Sequence, residues 1–269
     1  MKMRKYIYLL ILILGTNCKN YLPGFDFDSF KETEANELAI AVKNQNLNLI
    51  EKIVKNNNNL IDFLDPKFGH SLLMLAVAND LEKSVNKLLE LGADPNKKSK
   101  PISNINSEIT TPVFIACNKM YKGNCKTNIL EILIKNGGNI NDKIDVKYLN
   151  AKYITKETPL MIATMSNCID LVKNVVELGA NIDDYNYVNG KGPLSNCIIH
   201  DNLNILKYLV IEKKARIPSY VFVRPAHNNS SREEITLIEF LEEQKYSENS
   251  KNEKYKKEII KYLKSIIPK

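Results

Sequence analysis

Two short motifs recur together along this chain, and their recurrence constrains the fold more than any other feature. The first is a segment that ends in a small residue, as in Ser71–Ala76 and Thr158–Ala163. The second follows it and contains an aliphatic pair and then a Gly, as in Leu88–Asn96 and Val175–Asp183. Such self-similarity is typical of stacked repeat proteins, in which each unit buries its apolar face only against its neighbours.

The residue types indicate what each motif does. Thr at the start accepts a hydrogen bond from a free backbone N–H, and Pro112 or Pro159 at the first helical position costs no hydrogen bond. The small residue lets two antiparallel helices approach closely, and the aliphatic pair fills the space between units. Gly then ends the second helix in a left-handed conformation. Each unit is therefore predicted to be a pair of antiparallel helices.

Together the motifs resemble the ankyrin repeat, whose pattern is T-P-L-H-x-A and then L-L-x-x-G-A-D. The resemblance covers about Asn36–Ile217 and implies an all-α ankyrin-repeat solenoid of about five to six repeats with degenerate caps at both ends. Its repeats are expected near 34–64, 65–99, 109–142, 156–187 and 189–218, with a capping repeat at 230–269. His is missing from every T-P-L-H position, so the loop-to-loop bonds that it makes in the family are expected to be lost.

After Ile217 the pattern fades, and two amphipathic segments predict a closing pair of helices. The first is Glu233–Glu243, with Leu237, Phe240 and Leu241 on its inner face. The second is Tyr255–Ile267, whose outer apolar face comprises Ile259, Ile260, Leu263, Ile266 and Ile267.

The first residues carry the pattern of an export signal. Lys2, Arg4 and Lys5 precede an unbroken apolar run, Tyr6–Leu14, and small or polar residues follow it. The run is too short to span a bilayer, which takes about 20 residues. Residues 1–17 are therefore predicted to be a signal peptide.

The end of that signal resembles a bacterial lipobox, which implies that Cys18 is lipidated and anchors the chain to a membrane. Asn17 departs from the Gly, Ala or Ser that is usual before the Cys, so a secreted protein stays an alternative. Residues 18–31 then form the lipidated Cys and a tether, and residues 32–269 the ankyrin-repeat domain. Lys19 after the Cys favours the outer membrane, with the domain facing the periplasm or the cell surface.

The charge distribution and the cysteine spacing argue against nucleic-acid binding and against a zinc site. The formal net charge is +7, and only Lys251–Lys257 is densely basic. Nucleic-acid binding would show a concentrated basic face, so none is expected, and this stretch is interpreted as a solvated helix face. The cysteines fit no zinc motif, although one bridge, for instance between Cys117 and Cys125, stays open for an exported chain.

Catalytic chemistry lacks the residues that it needs. Cys197 and His200 share one helix face, but a Cys in the small-residue position of a repeat is expected to be buried and inert. No dinucleotide, phosphate-loop or zinc-protease motif occurs. The chain is therefore predicted to be a non-enzyme without a cofactor or a metal.

Two groups of residues are candidates for contact with a protein partner. Tyrosines near the tips of the loops between repeats bring large contact area at low entropic cost; they are Tyr148, Tyr153, Tyr185 and Tyr187. By the resemblance, the concave face carries Asn44, Asn79, Lys119, Met165 and His200. Two alternatives stay open, namely that the tyrosines pack across adjacent loops and that the groove is simply solvated.

These features predict a monomeric, non-catalytic module that binds one protein partner in the bacterial envelope. A specific form of this hypothesis is a periplasmic immunity protein that neutralises a toxin. The alternative is a surface-exposed lipoprotein with a structural or host-interaction role.

Overall fold

The computed structural model describes residues 24–100, 109–118, 125–146, 155–185, 192–224 and 233–266. Its helices are α1 Asn36–Lys43, α2 Leu47–Asn56, α3 Leu72–Ala78, α4 Glu82–Glu90, α5 Pro112–Cys117, α6 Asn128–Lys135, α7 Pro159–Met165, α8 Ile169–Glu177, α9 Pro193–Ile199, α10 Leu203–Lys207, α11 Leu237–Glu243 and α12 Lys251–Ile266. Its strands are β1 Ile144–Val146, β2 Thr155–Glu157, β3 Phe222–Arg224 and β4 Glu233–Ile235. Within these ranges the fold is mainly helical.

Helices α1 to α10 form five antiparallel pairs that stack in chain order. The first helices α1, α3, α5, α7 and α9 contact one another in sequence and form one layer. The second helices form the other layer, in which α2, α4 and α6 stack and α8 contacts α10. Apolar side chains from both layers merge into one hydrophobic core that extends from Phe27 to Leu263. The predicted all-α solenoid is confirmed.

The first helices begin as their residue types predict. Thr111 and Thr158 each accept, through Oγ1, a hydrogen bond of 3.3 Å from the backbone N–H three residues on. Gly192 has no capping side chain, and its own N–H donates to Ser195 Oγ at 2.7 Å. A Cβ on Gly192 would lie 3.0 Å from the carbonyl oxygen of Asp184, so glycine is needed there for a close approach of two backbone segments.

Asparagine side chains join successive fingers, which are the loops that connect one helix pair to the next. Asn141 donates through Nδ2 to the carbonyl oxygen of Gly179 at 3.0 Å and accepts through Oδ1 from the N–H of Asn181 at 2.7 Å. Asn96 makes the equivalent two bonds one finger earlier, at 2.9 and 2.7 Å. Loop-to-loop bonding is therefore present although the family's His is missing.

The second helices of the second to fifth pairs are each followed by a left-handed residue. Gly92, Gly137 and Gly179 have φ angles of 96°, 89° and 93°. In the fifth pair this position is Lys214, with φ of 53°, and the π-helical segment Tyr208–Glu212 precedes it. This pair has one residue more between the start of its second helix and the left-handed position than the fourth pair, and the π-helical turn accommodates it.

The N-terminal segment, residues 24–31, is folded against the first two pairs, although it was predicted to belong to a tether. Phe30 is fully buried and Phe27 nearly so. Phe25 stacks on His70, with 4.4 Å between the ring centroids. Burial of a Phe side chain contributes about 1.5–3 kcal/mol, which explains why the folded unit begins before residue 32.

The finger between the third and fourth pairs contains two paired strands, β1 and β2. Strands β1 and β2 pair antiparallel, with Ile144 opposite Glu157. Ile144 is buried against Phe114 of α5, so the base of the finger is part of the packed structure.

The C-terminal cap corrects two predictions. Glu233–Ile235, expected to start a helix, forms strand β4, and α11 begins after Thr236, whose side chain caps it together with that of Glu239. Helix α12 begins at Lys251, four residues before the predicted start. Ile259 and Leu263 are fully buried as expected, but Ile266 is 48% exposed because it lies in the last turn of the helix.

Candidate functional site

Three residues predicted for the concave face lie at the ends of first helices, Asn44 and His200 at equivalent positions and Met165 one position earlier in its repeat. Asn44 follows α1 and is exposed, Met165 ends α7 and is partly exposed, and His200 follows α9 and is partly exposed. We call the solvent-facing side of α1, α3, α5, α7 and α9, together with the residues that follow each helix, the inner row. Lys119, a fourth residue predicted for this face, lies outside the described residues.

The inner row also carries two exposed apolar side chains, of which Ile199 was expected on the concave face by the family resemblance and Ile40 was not. Ile40 in α1 is 50% exposed and Ile199 in α9 is 49% exposed. Helical geometry could have revealed Ile40, because Leu38, Ala39 and Val42 project from the opposite side of the same helix into the core. Large exposed apolar side chains on a row that faces solvent suit contact with another molecule.

The fifth predicted member, Asn79, is engaged by the chain itself. Its Nδ2 donates to the carbonyl oxygen of Phe25 at 3.0 Å and to that of Leu75 at 2.8 Å. Leu75 is fully buried, whereas Ile40, at the equivalent place in α1, is half exposed. The N-terminal segment therefore covers the inner row at the second pair, and Asn79 positions that segment.

The turn after α9 is covered by the loop between α11 and α12. Tyr246 donates through its hydroxyl to Asp201, and Asn252 Nδ2 donates to Asp201 Oδ2 at 3.0 Å. Burial and the bond to Asp201 raise the pKa of the Tyr246 phenol. These contacts and the N-terminal segment bound the inner row on two sides, and the third to fifth pairs lie between them.

Among the predicted tyrosines, only Tyr185 lies within the described residues; Tyr148, Tyr153 and Tyr187 lie outside them, as does Cys18. Tyr185 donates its hydroxyl to the backbone carbonyl of Tyr220, and the two rings meet edge to face with centroids 6.0 Å apart. This is the alternative in which a finger tyrosine packs across to the next finger.

A disulfide joins Cys125 to Cys168, with 5.8 Å between the Cα atoms. The suggested partner of Cys125, Cys117, instead lies fully buried at the end of α5, so that pairing was wrong. Cys168 is the residue before α8. The bridge therefore joins Cys125, which lies between α5 and α6, to the turn between α7 and α8.

The thiol of Cys197, the candidate nucleophile beside His200, is made unreactive by burial. Cys197 is fully buried, and desolvation raises the pKa of its thiol well above the usual range. A thiol is a poor nucleophile in that state, because the thiolate is the reactive form. The described residues also contain no cluster of His, Cys, Asp and Glu that could hold a metal ion.

Comparison with protein families agrees with this geometry. A family model described as "Ankyrin repeats (3 copies)" matches residues 113–220, and one described as "Ankyrin repeat" matches residues 68–100. The two matches together span more than half of the chain, which belongs to the ankyrin-repeat family. This family is in general a non-catalytic scaffold for protein–protein interaction.

The matched residues correspond to the second to fifth helix pairs. No curated protein matches the chain. In the part of the chain that the structure describes, no helix combines the length and the apolar character needed to cross a membrane.

Proposed function

We propose that this chain is a monomeric protein-binding module of the bacterial envelope that holds one protein partner on the inner row of its third to fifth helix pairs. The exposed side chain of Ile199 carries the proposal, because a solenoid of this family binds through such surfaces and Ile199 lies on it, 49% exposed. Met165 occupies the position in α7 that is equivalent to Ile199 in α9, and His200 directly follows Ile199.

The row combines apolar and polar groups in a way that suits a protein surface. An apolar anchor surrounded by polar side chains is the usual arrangement at the energetic centre of an interface. The N-terminal segment covers the row at the second pair, so the partner is expected to contact the later pairs.

Two observations support an envelope location. The first residues have the pattern of an export signal that ends at Cys18. The Cys125–Cys168 disulfide provides independent support, because disulfides persist in oxidising compartments such as the periplasm and are rare in the cytosol. The proposed form is a lipoprotein held at the outer membrane through Cys18.

Two variants of nearly equal exposure test the binding surface. Ile199→Asp places a charge on the inner row, and Ile266→Asp, where the isoleucine is 48% exposed, places the same charge at the end of α12. Cross-linking in intact cells identifies the partner of the wild-type chain, and calorimetry then measures its affinity. We expect Ile199→Asp to weaken binding about tenfold or more and Ile266→Asp to leave it unchanged. Equal effects of both variants would refute the assignment of the surface.

Location and anchoring are tested separately. Labelling with a radioactive fatty acid should mark the wild-type chain and not Cys18→Ser, and protease added to intact cells should spare a periplasmic chain. Cleavage by external protease would favour the alternative of a surface-exposed lipoprotein with a structural or host-interaction role.

The specific form of the proposal is an immunity protein that neutralises a toxin in the periplasm. Its support is the combination of a small interaction scaffold, an export signal and the absence of a catalytic motif in the sequence. Co-expression with an exported toxin encoded by the neighbouring gene should restore growth with the wild-type chain and fail with Ile199→Asp. If neither the wild-type chain nor Ile199→Asp restores growth, the immunity role is refuted, whereas the proposal that the chain binds a protein partner is unaffected.

A further inference from the structure

Helix α12 closes the solenoid and presents a row of lysines to solvent. The exposed lysines recur every three or four residues and so share one side of the helix; they are Lys251, Lys254, Lys257, Lys261 and Lys264. We call this side the lysine face. On the opposite side Ile259 and Leu263 are fully buried in the core, so the orientation of the helix is fixed by packing.

Carboxylates neutralise two of the five lysines of the face. Glu253 of α12 is nearly buried and binds Lys257 at 3.4 Å. Glu242 of α11 binds Lys264 at 2.7 Å. The other carboxylate of α12, Glu258, binds a lysine of α10 at 2.6 Å.

Three lysines of the face have no carboxylate partner within ion-pair distance among the described residues; they are Lys251, Lys254 and Lys261. Lysines on the fingers are different. Lys143 binds Asp184 at 2.7 Å and Lys156 binds Asp145 at 2.8 Å. The net positive charge of the lysine face therefore comes from these three lysines, whereas the finger lysines Lys143 and Lys156 are neutralised locally.

The composition of the face indicates what it recognises. It contains no arginine and no exposed aromatic side chain, the residues that anchor specific protein interfaces and that bind carboxylates in a fixed bidentate geometry. Lysine is a mobile point charge that suits a diffuse layer of anions. An anionic bilayer surface supplies such a layer and demands no shape complementarity.

We propose that the lysine face of α12 binds the surface of anionic phospholipid bilayers. This interaction is separate from the lipid anchor at Cys18 and from the inner row. It would hold the C-terminal end of the solenoid against a membrane and limit how the domain can turn about its anchor.

The experiment measures flotation of residues 24–269 with vesicles, since Cys18 and the apolar run before it would bind lipid by themselves. This fragment contains the whole described core, and circular dichroism verifies that it is folded. Vesicles contain phosphatidylcholine alone or an equimolar mixture with phosphatidylglycerol. We expect binding only to the anionic vesicles, and release at about 1 M salt, where the Debye length is roughly 3 Å.

The decisive variant replaces the three unpaired lysines, as Lys251→Gln, Lys254→Gln and Lys261→Gln. Each lysine near an anionic surface changes the partition coefficient about fivefold, so the triple variant should bind roughly a hundredfold more weakly. A control of equal charge change removes the exposed lysines of α2, α4 and α6 as Lys52→Gln, Lys83→Gln and Lys135→Gln, and should bind within about twofold of the wild type.

Three outcomes overturn the proposal. The first is equal binding to neutral and anionic vesicles, and the second is equal loss of binding in both triple variants, which would indicate an effect of net charge alone. The third is retention on immobilised polyglutamate without flotation on anionic vesicles, which would assign the lysine face to an acidic protein. Each outcome leaves the test of the inner row with Ile199→Asp unaffected.

Discussion

Removal of the Cys125–Cys168 disulfide should destabilise the chain by an amount that follows from the loop it closes. The two cysteines are separated by 43 residues in sequence. The loss of chain entropy in the unfolded state for a loop of that length corresponds to about 4 kcal/mol at 25 °C. This value is an upper one, because unfolded chains retain structure, so we expect a loss of about 2–4 kcal/mol for Cys125→Ser/Cys168→Ser.

The assay is urea unfolding of residues 24–269 followed by circular dichroism, with and without a reductant. The wild-type chain should lose stability on reduction, and the double serine variant should start at the lower stability and show no response to reductant. Cys117→Ala serves as a control that keeps the bridge, so its response to reductant should match that of the wild type.

Two results would refute this reasoning. Mass spectrometry of the oxidised chain under non-reducing conditions could find both thiols free to react with an alkylating agent, which would exclude the bridge. Alternatively, wild type and double variant could respond equally to reductant, which would show that another group is responsible. Either result would also remove the support that the disulfide gives to an oxidising compartment.

Three further predictions concern the fold. Burial lowers the pKa of His70 below its ordinary value of about 6.5, so protonation of this side chain favours the unfolded chain. The free energy of unfolding should therefore be highest above that pH and should fall as the pH drops towards the pKa of His70 in the folded chain. Urea unfolding at a series of pH values should show a smaller fall for His70→Gln. Asn141→Ala removes two bonds between fingers and should cost about 1–2 kcal/mol in urea unfolding, whereas Asn181→Ala, which removes a bond within its own finger, should cost less. Lys214→Gly removes the steric strain of a left-handed backbone at this position and should stabilise the chain by about 1 kcal/mol, whereas Lys214→Ala should not. A lower urea denaturation midpoint for the glycine variant than for the wild type would contradict the assigned strain.

The repeat architecture could be predicted from the sequence because its signals are local. Thr158 and Pro159 determine a helix start through hydrogen bonds and a dihedral angle within one turn, and Gly179 ends the next helix through its own backbone freedom. The boundaries of the cap were harder to predict, because Glu233–Ile235 has no strong preference of its own and forms a strand through pairing with β3.

The candidate site was predicted only in outline. The family pattern indicated which helix ends face the inner row, and Asn44, Met165 and His200 lie there. It could not indicate that Asn79 is engaged by Phe25, because that bond joins residues far apart in sequence. The same pattern placed Ile199 on this face, but only the packing of its neighbours decided that about half of its side chain is exposed.

By itself the sequence determined the class of fold, the order of the helix pairs and the residues that begin and end most helices, since each of these depends on interactions within a few residues. The tertiary structure decided which distant groups meet: Cys125 with Cys168, Phe25 with His70, and Tyr246 with Asp201. These contacts depend on how each loop lies over the next repeat, and loop placement follows from the packing of whole helix pairs.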